Sequence, residues 1–270
     1  MGFRYIIYSK NRAMQLDCAI RTALEQVEDL EMIYVIYTYD NEGYRQGYER
    51  LKSKVYPKVT LIEESTFKST LSKVSKELPQ PYIFFMADDD YWVKKTIMQP
   101  LIDLFLSNNK FMHFTVRMSD KITKRGVVLT DMPLPKFIRQ DDFLIWDWTE
   151  SKPMDDWGYP VCTTMGGFTK KHILPWVTDL EYKNSGDLEG QWNQRMRNPD
   201  MPLMCSFNDC KIVNLPLNRV VVGAENPHGD MHTGDLNRMY LDNKIIELES
   251  IYEAKVENAY MNYSPTLRFI

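Results

Sequence analysis

Residues 3 to 9, FRYIIYS, form an apolar run of strand length, and the next segment carries Leu16, Ile20, Ala23, Leu24 and Val27 on one helical stripe. A second run rich in β-branched and aromatic residues, MIYVIYTY at 32 to 39, predicts another strand. It leads into a polar helix over 44 to 55, a short strand KVTLIE, and a helix whose Phe67, Leu71, Val74 and Leu78 share one face. Pro79 and Pro81 end that helix. The following YIFFMA, 82 to 87, is apolar at every position where a half-exposed strand would alternate, so it belongs inside a sheet covered on both faces.

Four strands alternate with three helices in this half. The alternation predicts an α/β fold, a mostly parallel, doubly wound, Rossmann-like sheet with helices on both faces. In such sheets ligands bind just beyond the carboxyl ends of the strands. Further on, a helix over 97 to 107 and a strand FMHFTVRM are expected, then an irregular stretch from Ser119 to Asp156 containing the aromatic cluster FLIWDW. The segment GYPVCTTMGGFTKKHI reads as strand, glycine turn and short helix, and NSGDLEGQW opens another helix. Leu241, Ile245, Leu248, Tyr252 and Val256 predict one long C-terminal helix.

Composition narrows the classes. The 270 residues include 37 acidic against 33 basic side chains, a net charge of -4, which gives no general electrostatic reason to bind nucleic acid or an anionic membrane. No apolar run reaches the length of a membrane span, and MGFRYIIYSKNR lacks the apolar core of a signal peptide, so a cytoplasmic protein is expected. Cys18, Cys162, Cys205 and Cys210 are scattered without zinc or redox spacing and read as reduced thiols.

YIFFMA runs straight into Asp88, Asp89 and Asp90. Three adjacent carboxylates repel one another and resist leaving water, so a positive group is called for. An Asp-rich turn bonding to its own backbone is one reading. A divalent cation at the mouth of a central strand, bridging to substrate phosphates, is the favoured one.

The opening strand with YSKNRAMQLDCAI, the acidic turn YTYDNEG after the second strand, and the apolar strand entering ADDDYW together make the chain resemble a nucleotide-sugar-dependent glycosyltransferase of the GT-A fold, similar to the family 2-like group. The resemblance covers the first 110 residues, with TTMGGFTKKHIL and SGDLEGQW in plausible order after them. It implies that the triplet is a DxD motif, with Asp90 binding Mn²⁺ or Mg²⁺ directly and Asp88 and Asp89 serving the nucleotide-sugar donor or the ion. It further implies that Asp40 contacts the nucleotide base and that Ser9 and Arg12 meet the nucleotide, although Arg12 equally suits a solvated helix start. Residues 1 to 118 would then form the donor half, 119 to 235 the acceptor and catalytic half, and 236 to 270 a helical segment.

Two histidines, His228 and His232, lie four apart in AENPHGDMH. Surface loop residues are one reading; by the resemblance, one of them, His228 first, completes the metal site in a loop that closes as a lid. Transfer with inversion needs a carboxylate base for the acceptor hydroxyl, and Asp187 ahead of Glu189 is the expectation, against the alternative that acids in a first helical turn merely complement its dipole. Core packing is the commoner fate of Trp146, Trp148 and Trp157, but at least one is expected to line the acceptor cleft.

The leading function is transfer of a sugar from a nucleotide diphosphate sugar, UDP-linked by expectation, to a hydroxyl of a glycan or other acceptor. The alternatives are a sugar nucleotidyltransferase, which normally has a glycine-rich loop where this chain has SKNRAMQ, and a non-catalytic metal- or carbohydrate-binding module. A modified nucleic-acid base as acceptor is disfavoured by the acidic balance.

Overall fold

The computed structural model describes residues 2–126, 130–153, 155–195, 200–220, 228–253, 256, 258 and 267–270. The first half follows the periodicity closely. β1 (Phe3–Lys10), α1 (Ala13–Gln26), β2 (Leu30–Thr38), α2 (Glu42–Ser53), β3 (Val59–Glu63), α3 (Phe67–Glu77) and β4 (Tyr82–Ala87) succeed one another as expected. A short β5 (Asp90–Trp92) follows, then α4 (Gln99–Leu106), β6 (Phe111–Thr115), β7 (Ile138–Gln140), β8 (Phe143–Asp147), β9 (Gly166–Thr169), α5 (Lys170–Asp179), α6 (Ser185–Arg195), β10 (Leu203–Phe207), β11 (Ile212–Asn214), α7 (Thr233–Leu241) and α8 (Leu248–Tyr252).

Nine strands form one sheet in the order β3-β2-β1-β4-β9-β6-β10-β8-β7, while β5 and β11 make a separate antiparallel ribbon. β9 and β8 run against the other seven strands, so the sheet is mixed but mostly one-directional. Both faces are covered, as the unbroken apolar pattern of β4 requires. Tyr82, Phe84 and Met86 enter the core beneath α1, α4 and α7, whereas Ile83 and Phe85 point to the opposite core with α3, α5 and α6. β1 splits in the same way, with Phe3, Tyr5 and Ile7 on one side and Ile6 and Tyr8 on the other. Among the described residues no helix is long and apolar enough to cross a membrane.

Three expectations are corrected. The glycines of TTMGGF do not make a turn: they lie inside β9, inserted between β4 and β6. A Cβ on Gly166 would stand 2.1 Å from His113 Nε2, and one on Gly167 2.5 Å from the Phe114 ring, so the close strand approach admits only glycine. The C-terminal stripe does not form one long helix. It breaks after α7, with Asn243 in the left-handed region at φ 69°, and resumes as the short α8. Finally, Trp146, Trp148 and Trp157 are all buried; Trp146 meets Trp157 edge-on at 5.1 Å and donates its indole N–H to the Trp157 carbonyl. They are core.

Candidate functional site

A cleft of about 520 Å³ opens at the carboxyl edge of the sheet. The ends of β1, β2 and β4 contribute Tyr8, Ser9, Thr38 and Asp88, and the turn into α6 brings Lys183 and Asn184 to the same space. This is where a doubly wound sheet presents its ligand site. Asn184 Oδ1 caps α6 by accepting from the Asp187 amide at 2.9 Å, and Asn184 and Ser185 bring the start of that helix to the cleft wall.

Asp88 lines the cleft, and the triplet lies in a reversal of the chain. Asp88 and Asp89 make a turn after β4, and Asp90 begins β5. Asp90 is fully buried. Its Oδ2 accepts from the Ala87 amide at 2.7 Å and from the Thr164 hydroxyl, and its Oδ1 accepts from Asn214 Nδ2 at 2.8 Å. Pairing of β5 with β11 sets Asn214 directly opposite Asp90, and from there the same amide reaches Asp89 Oδ1 at 3.1 Å.

The positive group that the triplet demands is Arg12. Its Nη1 lies 3.0 Å from Asp88 Oδ1 and 2.9 Å from Asp89 Oδ2, with Arg12 only 8% exposed. Its Nε donates to Asn218 Oδ1 at 2.8 Å and its Nη2 to the Asn218 carbonyl. Asp88 Oδ2 accepts from Ser9 Oγ at 2.8 Å, and Ser9 also meets the Tyr48 hydroxyl at 2.7 Å. Burial works against the charge of Arg12, but Asp89 and Asp88 outweigh it and hold its pKa above the usual value. Burial, followed by the neighbouring charge of Asp89, pushes the Asp90 carboxyl up. Asp88 is also raised by burial, partly offset by Arg12.

The other expected residues are dispersed. Asp40 stands beyond β2, exposed, tied to Lys10 at 2.8 Å and to Asn11 Nδ2 at 2.7 Å, an arrangement that lowers its pKa chiefly through Lys10. His232 is the exposed N-cap of α7, accepting from the Gly234 amide at 3.1 Å. His228 is exposed, with Nδ1 2.8 Å from the Gly229 carbonyl. Residues 224–227 of the expected lid lie outside the described residues. Among the described residues no group of three or more His, Cys, Asp or Glu side chains is placed to hold a metal ion.

Asp187 and Glu189 part company on α6. Asp187 is exposed and accepts from the Lys183 amide at 3.0 Å, a helix-start contact. Glu189 turns inward: the Tyr159 hydroxyl donates to it at 2.9 Å, the Thr163 amide at 2.6 Å and the Thr163 hydroxyl at 2.8 Å. It lies close enough to Tyr8 to help raise that buried phenol's pKa, an effect led by burial. Tyr8 in turn lines the cleft.

The fit of a divalent ion is decided by the donor set. Each of the six oxygens of the triplet already accepts from an internal donor, and two of the three carboxylates share a buried guanidinium. A cation ligated by Asp90, as the DxD resemblance implied, meets a carboxylate used to tie the turn together; the residues as folded do not fit the ion. Sequence reasoning did not find Thr164, Asn214 and Asn218. Only the apolar-polar change in IVNLPLN hints at two of them, since their partners lie far away in the chain.

No family model matches this chain. A search of curated proteins also finds no match. Solved structures are similar at the level of the fold. One is S. aureus TarS 1-349 in complex with UDP, at 12% identity over 78% of this chain and 59% of that one, TM-score 0.49. A mannosyltransferase from Pyrobaculum calidifontis, in complex with GDP-Man and Mn²⁺, shares 11% identity over 75% and 56%, TM-score 0.42. A cytidylyltransferase from Leptospira borgpetersenii shares 12% over 78% of each chain, TM-score 0.46. The chain spans 36% to 59% of the TarS chains first matched.

Proposed function

We propose that this chain transfers a sugar from a nucleotide diphosphate sugar, UDP-linked in the leading reading, to a hydroxyl of a glycan or other acceptor. The observation that carries the reading is the cleft itself: a strand-end site, large enough for a nucleotide, lined by Lys10, Lys183 and the start of α6 together with Glu64 and Asp88. Those cationic features suit a diphosphate, because helix starts and lysines favour anions. The resemblance of the β1, β2 and β4 segments to nucleotide-sugar transferases points the same way.

In the proposed reaction the acceptor oxygen forms a bond to the anomeric carbon as the bond to the β-phosphate oxygen breaks, and the nucleoside diphosphate leaves with that electron pair. The hydroxyl proton passes to a carboxylate. Glu189 is the candidate base in preference to Asp187, since it is drawn inward to Tyr159 and Thr163 whereas Asp187 is engaged at the exposed helix start. No step runs through Mn²⁺ or Mg²⁺, since the charge of Asp88 and Asp89 is met by Arg12. The proposal includes neither nucleic acid nor a membrane as partner.

The test is incubation with a panel of nucleotide sugars and oligosaccharide acceptors, with product nucleotides separated by chromatography. Release of nucleoside diphosphate supports the proposal. Formation of pyrophosphate assigns the protein to the nucleotidyltransferases, and no binding of any nucleotide leaves only a binding module.

A further inference from the structure

A carboxylate triplet at a strand end is ordinarily a place for a metal ion, yet here the charge is already answered from within. Arg12 is buried, its Nη1 bridges Asp88 and Asp89 at 3.0 and 2.9 Å, and its remaining contacts fasten it to Asn218 on the far side of the chain. Asp90, the third member, is bound by Ala87, Thr164 and Asn214. From this donor set, we infer that Arg12 is the built-in counter-ion of the Asp88–Asp90 knot, so that the cleft binds a nucleoside diphosphate without a divalent cation.

The physical reasoning concerns competition. To ligate a metal, Asp88 and Asp89 must release a guanidinium that is itself out of water, and a buried arginine without its carboxylates is strongly disfavoured. Displacing it would also free the Asn218 contacts, and the ion would still face Asp90 through an oxygen pair committed to the turn. The guanidinium cannot be neutralised by deprotonation, so its charge persists across the working pH range. Arg12 lines the cleft beside Ser9 and Asp88 with its charge already met by the carboxylates, so the diphosphate above them would be answered by Lys183 and the start of α6. The second half of this inference rests on the nucleotide-transfer reading; the first half, the absence of a metal site, does not.

The experiment pairs thermal melting with calorimetry on the full chain, using MnCl₂ alone and UDP with either MnCl₂ or EDTA. The wild type is expected to show no saturable response to MnCl₂, and its UDP affinity should agree within about twofold between MnCl₂ and EDTA. Arg12→Gln removes the internal cation and should acquire a saturable MnCl₂-dependent rise in Tm of roughly 5 °C or more at saturating ion. Arg12→Lys, which retains a charge there, should not. A saturable MnCl₂ response in the wild type overturns the inference, as does a loss of UDP affinity of about tenfold or more in EDTA. If UDP binds in neither condition, the nucleotide-transfer reading fails, and the MnCl₂ arms still decide whether Arg12 holds the place of the metal. Should Arg12→Gln not fold, the wild-type and Arg12→Lys titrations decide it alone.

Discussion

Asp90→Ala is the sharpest probe of what the aspartate knot does. For a solvent-facing metal ligand, truncation abolishes turnover and leaves folding untouched. The structure predicts otherwise, because Asp90 is fully buried and three donors converge on it. The Thr164 hydroxyl can rotate to another partner, but the Ala87 amide and the Asn214 amide are fixed by β4 and by the β5–β11 ribbon. Each hydrogen bond to a charged acceptor contributes about 1.5–3 kcal/mol, so the loss of two costs roughly 3–6 kcal/mol. Burial and Asp89 favour the protonated form of Asp90, which weakens these bonds toward the neutral value of about 0.5–1.5 kcal/mol each, so the lower part of the range applies. The loss, about 2–4 kcal/mol, is a large part of the 5–15 kcal/mol that a domain typically holds. It corresponds to a fall in Tm of roughly 5–15 °C. Urea and thermal unfolding followed by tryptophan fluorescence measure it, with Asp90→Asn expected to lose about half as much because the amide oxygen still accepts. An Asp90→Ala protein melting within about 1 °C of the wild type would refute the reasoning, since the carboxylate would then be free for a ligand.

Other expectations follow from the same geometry. Glu189→Gln should lower turnover by about 10²-fold or more while Asp187→Asn stays within about threefold, read from nucleotide release; the reverse order restores Asp187 as the base. Lys183→Ala should weaken UDP binding about two- to fivefold, with the difference shrinking as salt rises, because exposed cations contribute little and are screened. His113 has no hydrogen-bond partner for either ring nitrogen among the described residues, stacks on Phe168 at 4.5 Å, and has its pKa lowered to about 3 by burial and then by Arg117. Its unfolded form takes up a proton near pH 6.5 while the folded form does not, so this group removes stability as pH falls from 6.5 toward 3. Relative to His113→Leu, the wild type should lose about 2 kcal/mol between pH 7 and pH 5 in urea titrations. Asp88 and Asp90, with raised pKa values, act in the opposite direction as pH falls through their folded pKa values, which is why the difference between the two proteins is the signal.

Much of the architecture was legible in one dimension. The stripes of α1 and α3, the β-branched run of β2 and the unbroken apolar run of β4 are properties of neighbouring residues, and a period of two or 3.6 survives in any surrounding fold. The alternation of those elements also set the place of the cleft, at the ends of β1, β2 and β4. The aspartate triplet announced that a positive charge was needed. Periodicity alone misjudged the C-terminal stripe, where apolar spacing continues across the break at Asn243, and the paired glycines of β9, whose meaning depends on the strands that press against them.

What supplied the charge could be decided only in three dimensions. Arg12 stands 76 and 77 residues from the two aspartates it bridges, and Asn214 lies 124 residues from Asp90, distances at which sequence spacing carries no geometric information. Parallel pairing of β1 with β4 brings the end of one strand beside the end of the other, and the β5–β11 ribbon folds a later segment over both. A carboxylate's chemistry depends on which donors reach it and how much water is left, and those are consequences of packing. The residues that need a counter-charge are written along the chain; the partner that provides it is chosen by the fold.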